Sequence, residues 1–441
     1  MIESLLVANR GEIARRIIRT AKRLGVRTIA VYSEADAGMP FVVEADESIC
    51  IGPPQSYRNA EAILAAAKES RAQAIHPGYG FLSENADFAR AVETNGLIWV
   101  GPPADAISAM GDKINARNLM AEAGVPVAPG SHDPAATVEA AVEVATAIGY
   151  PVMVKAAAGG GGMGMAVAGD EGALHTEYAK VRAFAERMFG DGSVLIERYF
   201  PRVRHVEVQI LGLADGRVVA LSERECSVQR RNQKLVEEAP SPAVSPSQRK
   251  DLLAAAVKAG EVVGYRNAGT VECLLDPATG QFFFLEMNTR LQVEHPITEL
   301  IHGTDLVEQQ LRIASGLEIT FDADKPTSGH AIELRINAED PKRFLPGPGK
   351  VATWVEPTGE GVRVDSGYAE GTTVTPHYDS LMAKLIVFGA DRADAIAKAR
   401  AAVAGFEIAG PKNNLPFFAE LLENAEFRSG DYDTGIVARM R

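Results

Sequence analysis

The sequence predicts an α/β protein built from more than one unit, and three observations carry that prediction. Apolar strands alternate with amphipathic helices through residues 4–100, a run of glycines separates two apolar strands near residue 160, and a carboxylate-rich hairpin spans 269–294. A chain of 441 residues, 46% of them hydrophobic, has material for several buried cores at the usual ~100–200 residues per domain.

Residues 4–8 read as a strand. Residues 12–24 follow as a helix with Ile13, Ile17, Ala21 and Leu24 on one stripe and Gly25 as its stop, then 27–32 as the next strand, a βαβ unit. Strand-like pieces at 47–51 and 97–100, with helical 60–70 and 86–95 between them, extend a parallel sheet. Loops 9–11 and 76–85 fall at strand ends, where open α/β sheets bind ligands. One glycine after the first strand is a poor dinucleotide fingerprint, so these loops and His76 are read as structural. A helical stretch over 103–123, with Asp112 and Lys113 inside it, bridges to a second unit near Val127.

There, residues 150–155 run as a strand into Gly159, Gly160, Gly161, Gly162 and Gly164, after which Met163, Met165 and Val167 alternate like a returning strand. Such glycines let backbone N–H groups approach a phosphate. No Gly-Lys-Ser/Thr follows, which excludes a P-loop, and the match to G-x-G-x-x-G from Gly159 to Gly164 does not open a helix. The expectation is a flap over nucleotide phosphates with Lys155 at its root, the alternative a mobile linker. Residues 194–200 form a further strand whose end is placed at an adenine slot. Residues 223–234 gather cations near anions, which in a chain poor in basic residues favours an anionic substrate over a solvated face.

The hairpin holds the densest chemistry. Glu286, Asn288, Arg290, Gln292 and Glu294 stand at even spacing, so an extended chain presents them on one face. Residues 277–281 supply the Pro and Gly of a turn, and symmetry about Thr279 sets Glu272 opposite Glu286. Facing carboxylates repel unless a cation lies between them, and oxygen donors suit Mg²⁺ or Mn²⁺ with phosphate completing the shell. Without metal, removing either carboxylate should then leave stability unchanged or slightly higher. The alternative is a polar sheet face paired to Arg290.

Forty-five basic against fifty-eight acidic residues give a formal charge of −13, which argues against nucleic acid and anionic membrane as partners. Cys50, Cys226 and Cys273 share no metal-ligand spacing and read as reduced core or near-site thiols. No secretory signal is visible, and no uncharged run reaches the ~18 residues of a membrane span. The chain is expected to be soluble and cytoplasmic.

Lys155, glycines 159–162, Glu197, His205 and the runs 223–234, 286–296 and 335–340 together resemble the biotin carboxylase component of biotin-dependent acyl-CoA carboxylases, an ATP-grasp fold. The likeness runs from residues 9–14 through 378–380 to the end of the sequence. It implies a Rossmann-like domain over 1–100, a helical linker over 101–127, a mobile glycine-rich lid over 128–199 and a C-terminal α+β domain over 200–441. It implies ATP-dependent carboxylation of biotin by bicarbonate through carboxyphosphate. The ATP contacts it implies are Lys113, Lys155, Gly160, Gly161, Gly162, Glu197, Arg198, Phe200, His205, Gln229, Asn232, Glu272 and Glu286, with Mg²⁺ or Mn²⁺ on Glu272, Glu286 and Asn288. Lys234, Arg290, Gln292 and the Val293 N–H would hold bicarbonate, Glu294 would deprotonate it, and Arg335 would stabilise the biotin enolate.

Met163 stands where many relatives carry Arg or Lys, Arg198 where Lys is common, and Asn232 where the acetyl-CoA type often has His, which leans toward the propionyl- or related acyl-CoA type. The sequence to Arg441 shows no Met-Lys-Met biotinylation site, so the expected partners are a biotin carboxyl carrier protein and a carboxyltransferase supplied in trans, around a homodimer of this chain. Two other readings remain: an ATP-grasp ligase joining a carboxylate to an amine, and a non-catalytic nucleotide-binding scaffold.

Overall fold

The computed structural model describes residues 1–157 and 163–441, so the phosphate contacts expected of Gly160, Gly161 and Gly162 lie outside the described residues. Strands β1 (Ser4–Val7), β2 (Arg27–Tyr32), β3 (Glu47–Cys50), β4 (Ala74–His76) and β5 (Ile98–Trp99) form a parallel sheet in the order β3-β2-β1-β4-β5. The predicted βαβ unit is there: helix Gly11–Arg23 buries Ile13, Ile17 and Ala21, and Gly25, at φ 75°, turns the chain out of it. Strand order reverses between β1 and β4, and the loops after both meet at that point. Asn9 joins them, its Nδ2 donating to the carbonyls of Pro77 and Tyr79 at 2.7 Å each. His76 is structural, as expected. It is fully buried, its Nδ1 accepts the Gly78 N–H at 3.0 Å and its Nε2 lies 3.1 Å from Gln310 Oε1, while burial pushes its imidazole down to about 4.

The single helical stretch expected over 103–123 is two helices, Ala104–Gly111 and Lys113–Glu122. Asp112 divides them, because its Oδ1 accepts the N–H groups of Ile114 and Asn115 at 3.0 Å and so caps a new helix. Lys113 becomes the first residue of that helix, at the edge of a cleft.

Strands β6 (Val152–Ala156), β7 (Met165–Ala168) and β8 (Val194–Arg198) form an antiparallel sheet ordered β7-β6-β8, so the chain returns after the glycines as predicted. This sheet and helices Val138–Ile148 and Glu171–Phe189 close a core of their own around Val152, Val154, Leu174 and Ile196.

The largest sheet is antiparallel throughout. It runs β13 (Phe282–Asn288), β12 (Asn267–Leu275), β9 (Arg204–Gly212), β10 (Val218–Arg230), β11 (Gln233–Ala239), β14 (His330–Asn337), then Leu381–Gly389 and Val362–Ser366. Its main core merges with that of the parallel sheet through Ile13, Ile17, Leu311, Leu334 and Leu385. Among the described residues no helix is long and apolar enough to cross a membrane.

Candidate active site

Glu272 pairs with Glu286 across the β12–β13 hairpin, as the sequence predicted. The symmetry about Thr279 holds for that pair and fails nearer the turn, where Cys273 faces Phe284 because Leu285 bulges out of register. On its other side Glu272 pairs with Glu207 of β9, and Glu207 with Arg224 of β10, so three carboxylates and a guanidinium form one row across four strands. Cross-strand partners share a face. Such a row is tolerable only with cations, and Lys234 near the start of β11 supplies one: its Nζ donates to Glu207 Oε2 at 2.6 Å, Glu294 Oε1 at 2.8 Å and Glu272 Oε1 at 2.9 Å. Arg224 Nε lies 2.5 Å from the other Glu207 oxygen.

This corrects the expectation that Glu272 and Glu286 repel each other uncompensated without a metal: Lys234, Asn288 Nδ2 (2.9 Å) and Gln292 Nε2 (3.2 Å) donate to the Glu272 carboxylate and His205 Nε2 approaches to 2.9 Å. Glu286 is the member of the pair that no cation of the described residues contacts. It also corrects the reading of the cationic run 223–234 as one substrate-facing patch: Arg224 is fully buried within the row, Arg249 takes Glu223, and Asn232 and Arg231 form an exposed turn. Of the lysines and arginines in that run, Lys234 alone contacts Glu294.

The extended face predicted for 286–294 ends with β13 at Asn288; residues 289–294 form a loop into helix His295–His302, with Glu294 at its N-cap. The loop still converges the same groups. Arg290 Nη2 donates to Asn288 Oδ1 at 2.9 Å and its Nη1 to Gln292 Oε1 at 3.0 Å, while Glu84 fixes both the Arg290 Nε (2.9 Å) and the Thr289 N–H (3.1 Å). Lys384 ties the backbone at the Val293 carbonyl, 2.9 Å away. The Glu294 carboxylate is fully buried between Lys234 and Arg335, whose Nη2 reaches its Oε2 at 3.0 Å and Glu237 Oε1 at 2.5 Å.

Burial alone would push the Glu294 carboxyl up, but Lys234, Arg335 and Arg224 outweigh it and hold the group well below the usual carboxylate range. The same contest leaves Lys234 well above the ordinary lysine value: burial opposes its charge, and Glu207, Glu272 and Glu294 restore it. Across the hairpin the two carboxylates diverge. Glu272 is driven down by Lys234 and His205 against the effect of burial, whereas burial and then the Glu272 charge push Glu286 up. At the Glu286 end of the row is a cleft of about 310 Å³ lined by Glu84, Met110, Lys113, Leu285, Glu286 and Asn288.

The remaining predicted residues do not line this cleft, and Lys155, Glu197 and Arg198 lie on the three-stranded sheet. Lys155 Nζ is 2.5 Å from Glu197 Oε1, a carboxylate that Arg117 also approaches at 3.5 Å. Phe200 stacks on Phe283 at 5.0 Å between ring centres, and Gln229 Nε2 sits 3.5 Å from His205 Nδ1. The Arg198 guanidinium points elsewhere, donating to the carbonyls of Ile148 (2.7 Å) and Gly149 (3.1 Å) at a helix end. Sequence reasoning assigned no role to Glu84, Arg117 or Glu237, and did not see Glu207 as the anchor of Lys234. The signal for Glu207 was present, since His205, Glu207 and Gln209 alternate on one face of β9. Nothing local marks Glu84, which is brought in from the other sheet. Cys226 and Cys273 are buried as expected, but Cys50 is exposed on an edge strand, and all three are free.

A carboxylate held ionised between a lysine and an arginine, beside a carboxylate row and a cleft, matches a known architecture along its whole length. Residues 1–107 match the biotin carboxylase N-terminal domain, 112–321 the ATP-binding domain of the carbamoyl-phosphate synthase large chain, and 333–439 the biotin carboxylase C-terminal domain. The chain belongs to the biotin carboxylase family. It is 50% identical to a biotin carboxylase of Haemophilus influenzae over 98% of this chain and 97% of that one. It is also 50% identical to biotin carboxylase 2 of Bacillus subtilis, over 98% of each chain. The Campylobacter jejuni biotin carboxylase crystallised with a β,γ-ATP ligand superposes with a TM-score of 0.96 at 44% identity, covering 100% and 99% of the two chains. The biotin carboxylase domain dimer of Hydrogenobacter thermophilus 2-oxoglutarate carboxylase, holding MgADP, ADP and bicarbonate, does so at 0.94 and 44%, over 100% and 98%. The α/β, ATP-grasp biotin carboxylase fold expected from the motifs is therefore the fold of this family member.

Proposed function

We propose that this chain carboxylates biotin with bicarbonate at the expense of ATP, through carboxyphosphate, on a biotin borne by a carrier protein. The observation that carries the reading is Glu294, ionised and buried between Lys234 and Arg335 at the N-terminus of a helix. Bicarbonate is a weak nucleophile toward a γ-phosphate. Cations that fix its oxygens and a carboxylate that takes its proton raise its reactivity and its local concentration together. Lys234, Arg290, Gln292 and the Val293 N–H are the proposed bicarbonate contacts, and the helix end adds favourable potential for an anion. When bicarbonate enters, it competes for the Lys234 donor that now holds Glu294, so the carboxylate loses a partner that weakens it as a base. Arg335, kept charged by Glu237, Glu294 and Glu333 despite burial, is the proposed donor to the biotin enolate oxygen.

For ATP we propose Lys113, Lys155, Gly160, Gly161, Gly162, Glu197, Phe200, His205, Gln229, Asn232 and, through its backbone, Arg198, with residues 128–199 acting as the lid. Glu272, Glu286 and Asn288 are the proposed ligands of Mg²⁺ or Mn²⁺. The residues fit a hard cation, because they are oxygen donors and Glu286 has no protein cation of its own among the described residues. A metal bound there would neutralise charge on the phosphate oxygens. A carrier and a carboxyltransferase are the proposed partners, a homodimer the proposed assembly and the cytoplasm the proposed compartment, the last supported by three free thiols. The transferase, not this site, meets the final acceptor.

The test is ATP cleavage with and without free biotin. Slow turnover alone and faster turnover with bicarbonate and biotin together is the expected result; indifference to biotin would return the protein to the amine-ligase reading, and absence of all turnover to the scaffold reading.

A further inference from the structure

Beyond Lys234 and Arg335 the large sheet ends in two loops whose cations the proposed reaction leaves unused. One is the β10–β11 turn, where Arg231 and Asn232 adopt φ of 50° and 64° and Arg231 is exposed. The other follows β14 over residues 338–347. Its Phe344 has φ 56°, which a bulky side chain adopts only where its surroundings impose it. They do so here. Phe344 is buried edge-on against Phe417 at 5.2 Å, beneath the guanidinium of Arg230 at 4.7 Å, with its N–H on the Asp340 carbonyl at 2.7 Å and the Asp340 N–H on the Leu345 carbonyl at 2.8 Å. Pinned in this way, the loop turns its other side chains outward: Leu345 is 56% exposed, and Lys342 and Arg343 project to solvent.

Arg230 ties the loops together, its Nη2 donating to the Arg343 carbonyl at 3.2 Å. Among the described residues none of Arg230, Arg231, Lys342 and Arg343 forms a salt bridge, although most arginines of this chain do. In a protein of charge −13 this is a local excess of positive charge, four cations without an ion-pair partner although Glu339 and Asp340 lie in the same loop, set beside an exposed leucine. Burial, and then repulsion from Arg231, push the Arg230 guanidinium below its ordinary value, which an incoming anion would relieve. The position is specific too. Strands β11 and β14 pair antiparallel with Val236 opposite Leu334, so Lys234 and Arg335 stand at the same end of the sheet, and the loops begin within about 10 Å of them at ~3.3 Å per residue.

We infer that this rim, Arg230, Arg231, Lys342, Arg343 and Leu345, docks an acidic face of the biotin-bearing carrier. The inference rests on the function proposed above. Its cations steer the carrier and fix its register, Leu345 supplies the apolar anchor, and biotin on its lysine arm reaches past the rim to Arg335.

The experiment measures ATP cleavage stimulated by free biotin and by two biotinyl-lysine peptides, one flanked by glutamates and one by glutamines, at low and high salt. The parent should use the glutamate peptide with a kcat/KM about tenfold above the glutamine peptide at low salt, with the gap closing at high salt. The double variant Arg231→Glu/Arg343→Glu should erase or invert that preference through KM while its rate with free biotin stays within about twofold, which also shows it folded. Leu345→Ser, which changes no charge, should raise KM for a whole biotinylated carrier and leave free biotin alone. Equal use of both peptides by the parent, or an equal loss with free biotin in the double variant, would overturn the docking surface alone. A parent that free biotin does not stimulate would overturn the function, and the docking inference with it.

Discussion

Replacing Glu272 by glutamine should destabilise the protein in chelator, and replacing Glu286, directly opposite, should not. The charge of Glu272 is compensated by Lys234 at 2.9 Å and approached by His205 at 2.9 Å, and its side chain is 7% exposed against 11% for Lys234. Breaking a buried pair by removing one partner costs about 3–5 kcal/mol. Lys234 keeps Glu207 at 2.6 Å and Glu294 at 2.8 Å, and glutamine keeps one acceptor oxygen, so a loss of about 2–3 kcal/mol is the better figure. At ~2.1 cal/mol/K per residue, for a cooperative unit of roughly 300 residues, that corresponds to a fall of roughly 3–5 °C in Tm. Glu286 gains nothing from its charge while the Glu272 carboxylate faces it, so Glu286→Gln should leave Tm unchanged or raise it slightly. The assay is thermal unfolding of the parent and both variants in chelator without nucleotide, followed by Mg²⁺ titration of ATP cleavage, in which both variants should need more metal. Equal melting of the two variants would refute the reasoning, since it would mean that Lys234 and His205 do not discriminate between the carboxylates.

Glu294→Gln keeps shape and removes the proposed base, so turnover should fall by roughly 10²-fold or more while nucleotide affinity, measured by direct titration, holds; matched losses in both would make Glu294 a nucleotide contact. Lys155→Gln should act oppositely, raising KM for ATP while lowering the Tm in the absence of nucleotide less than Glu272→Gln does, because Arg117, 3.5 Å from Glu197, still compensates the carboxylate. Glu237 supplies a pH test: burial pushes its carboxyl up to about 7 although Arg335 opposes the shift. A carboxyl raised above its unfolded value of ~4.3 contributes stability that is complete below that value and lost as pH rises through about 7. Stability of the parent should therefore slope downward between those values more steeply than that of Glu237→Gln, and identical slopes in denaturant titrations would show that the group titrates normally.

By itself the sequence determined the kind of protein and named most of the residues that gather around Lys234. Local periodicity sufficed for the βαβ unit at 4–32, the returning strand after the glycines and the pairing of Glu272 with Glu286, because each depends on side chains near one another in the chain. Long motifs put Lys234, Arg290, Gln292, Glu294 and Arg335 on one candidate list, and the structure brings these five together. The tertiary structure alone decided which charges meet. Glu207 and Glu272 share Lys234 because β9 and β12 are neighbours in the sheet, and Glu84 reaches Arg290 from a loop of a different sheet, 206 residues away in sequence. The even spacing of 286–294 suggested one flat face, whereas a loop and a helix N-terminus gather the same residues. Whether Glu272 or Glu286 carries the unbalanced charge is likewise absent from the hairpin's own sequence. Coulomb energies depend on distance and burial in space, and neighbours along the chain fix neither for groups that strand order brings together.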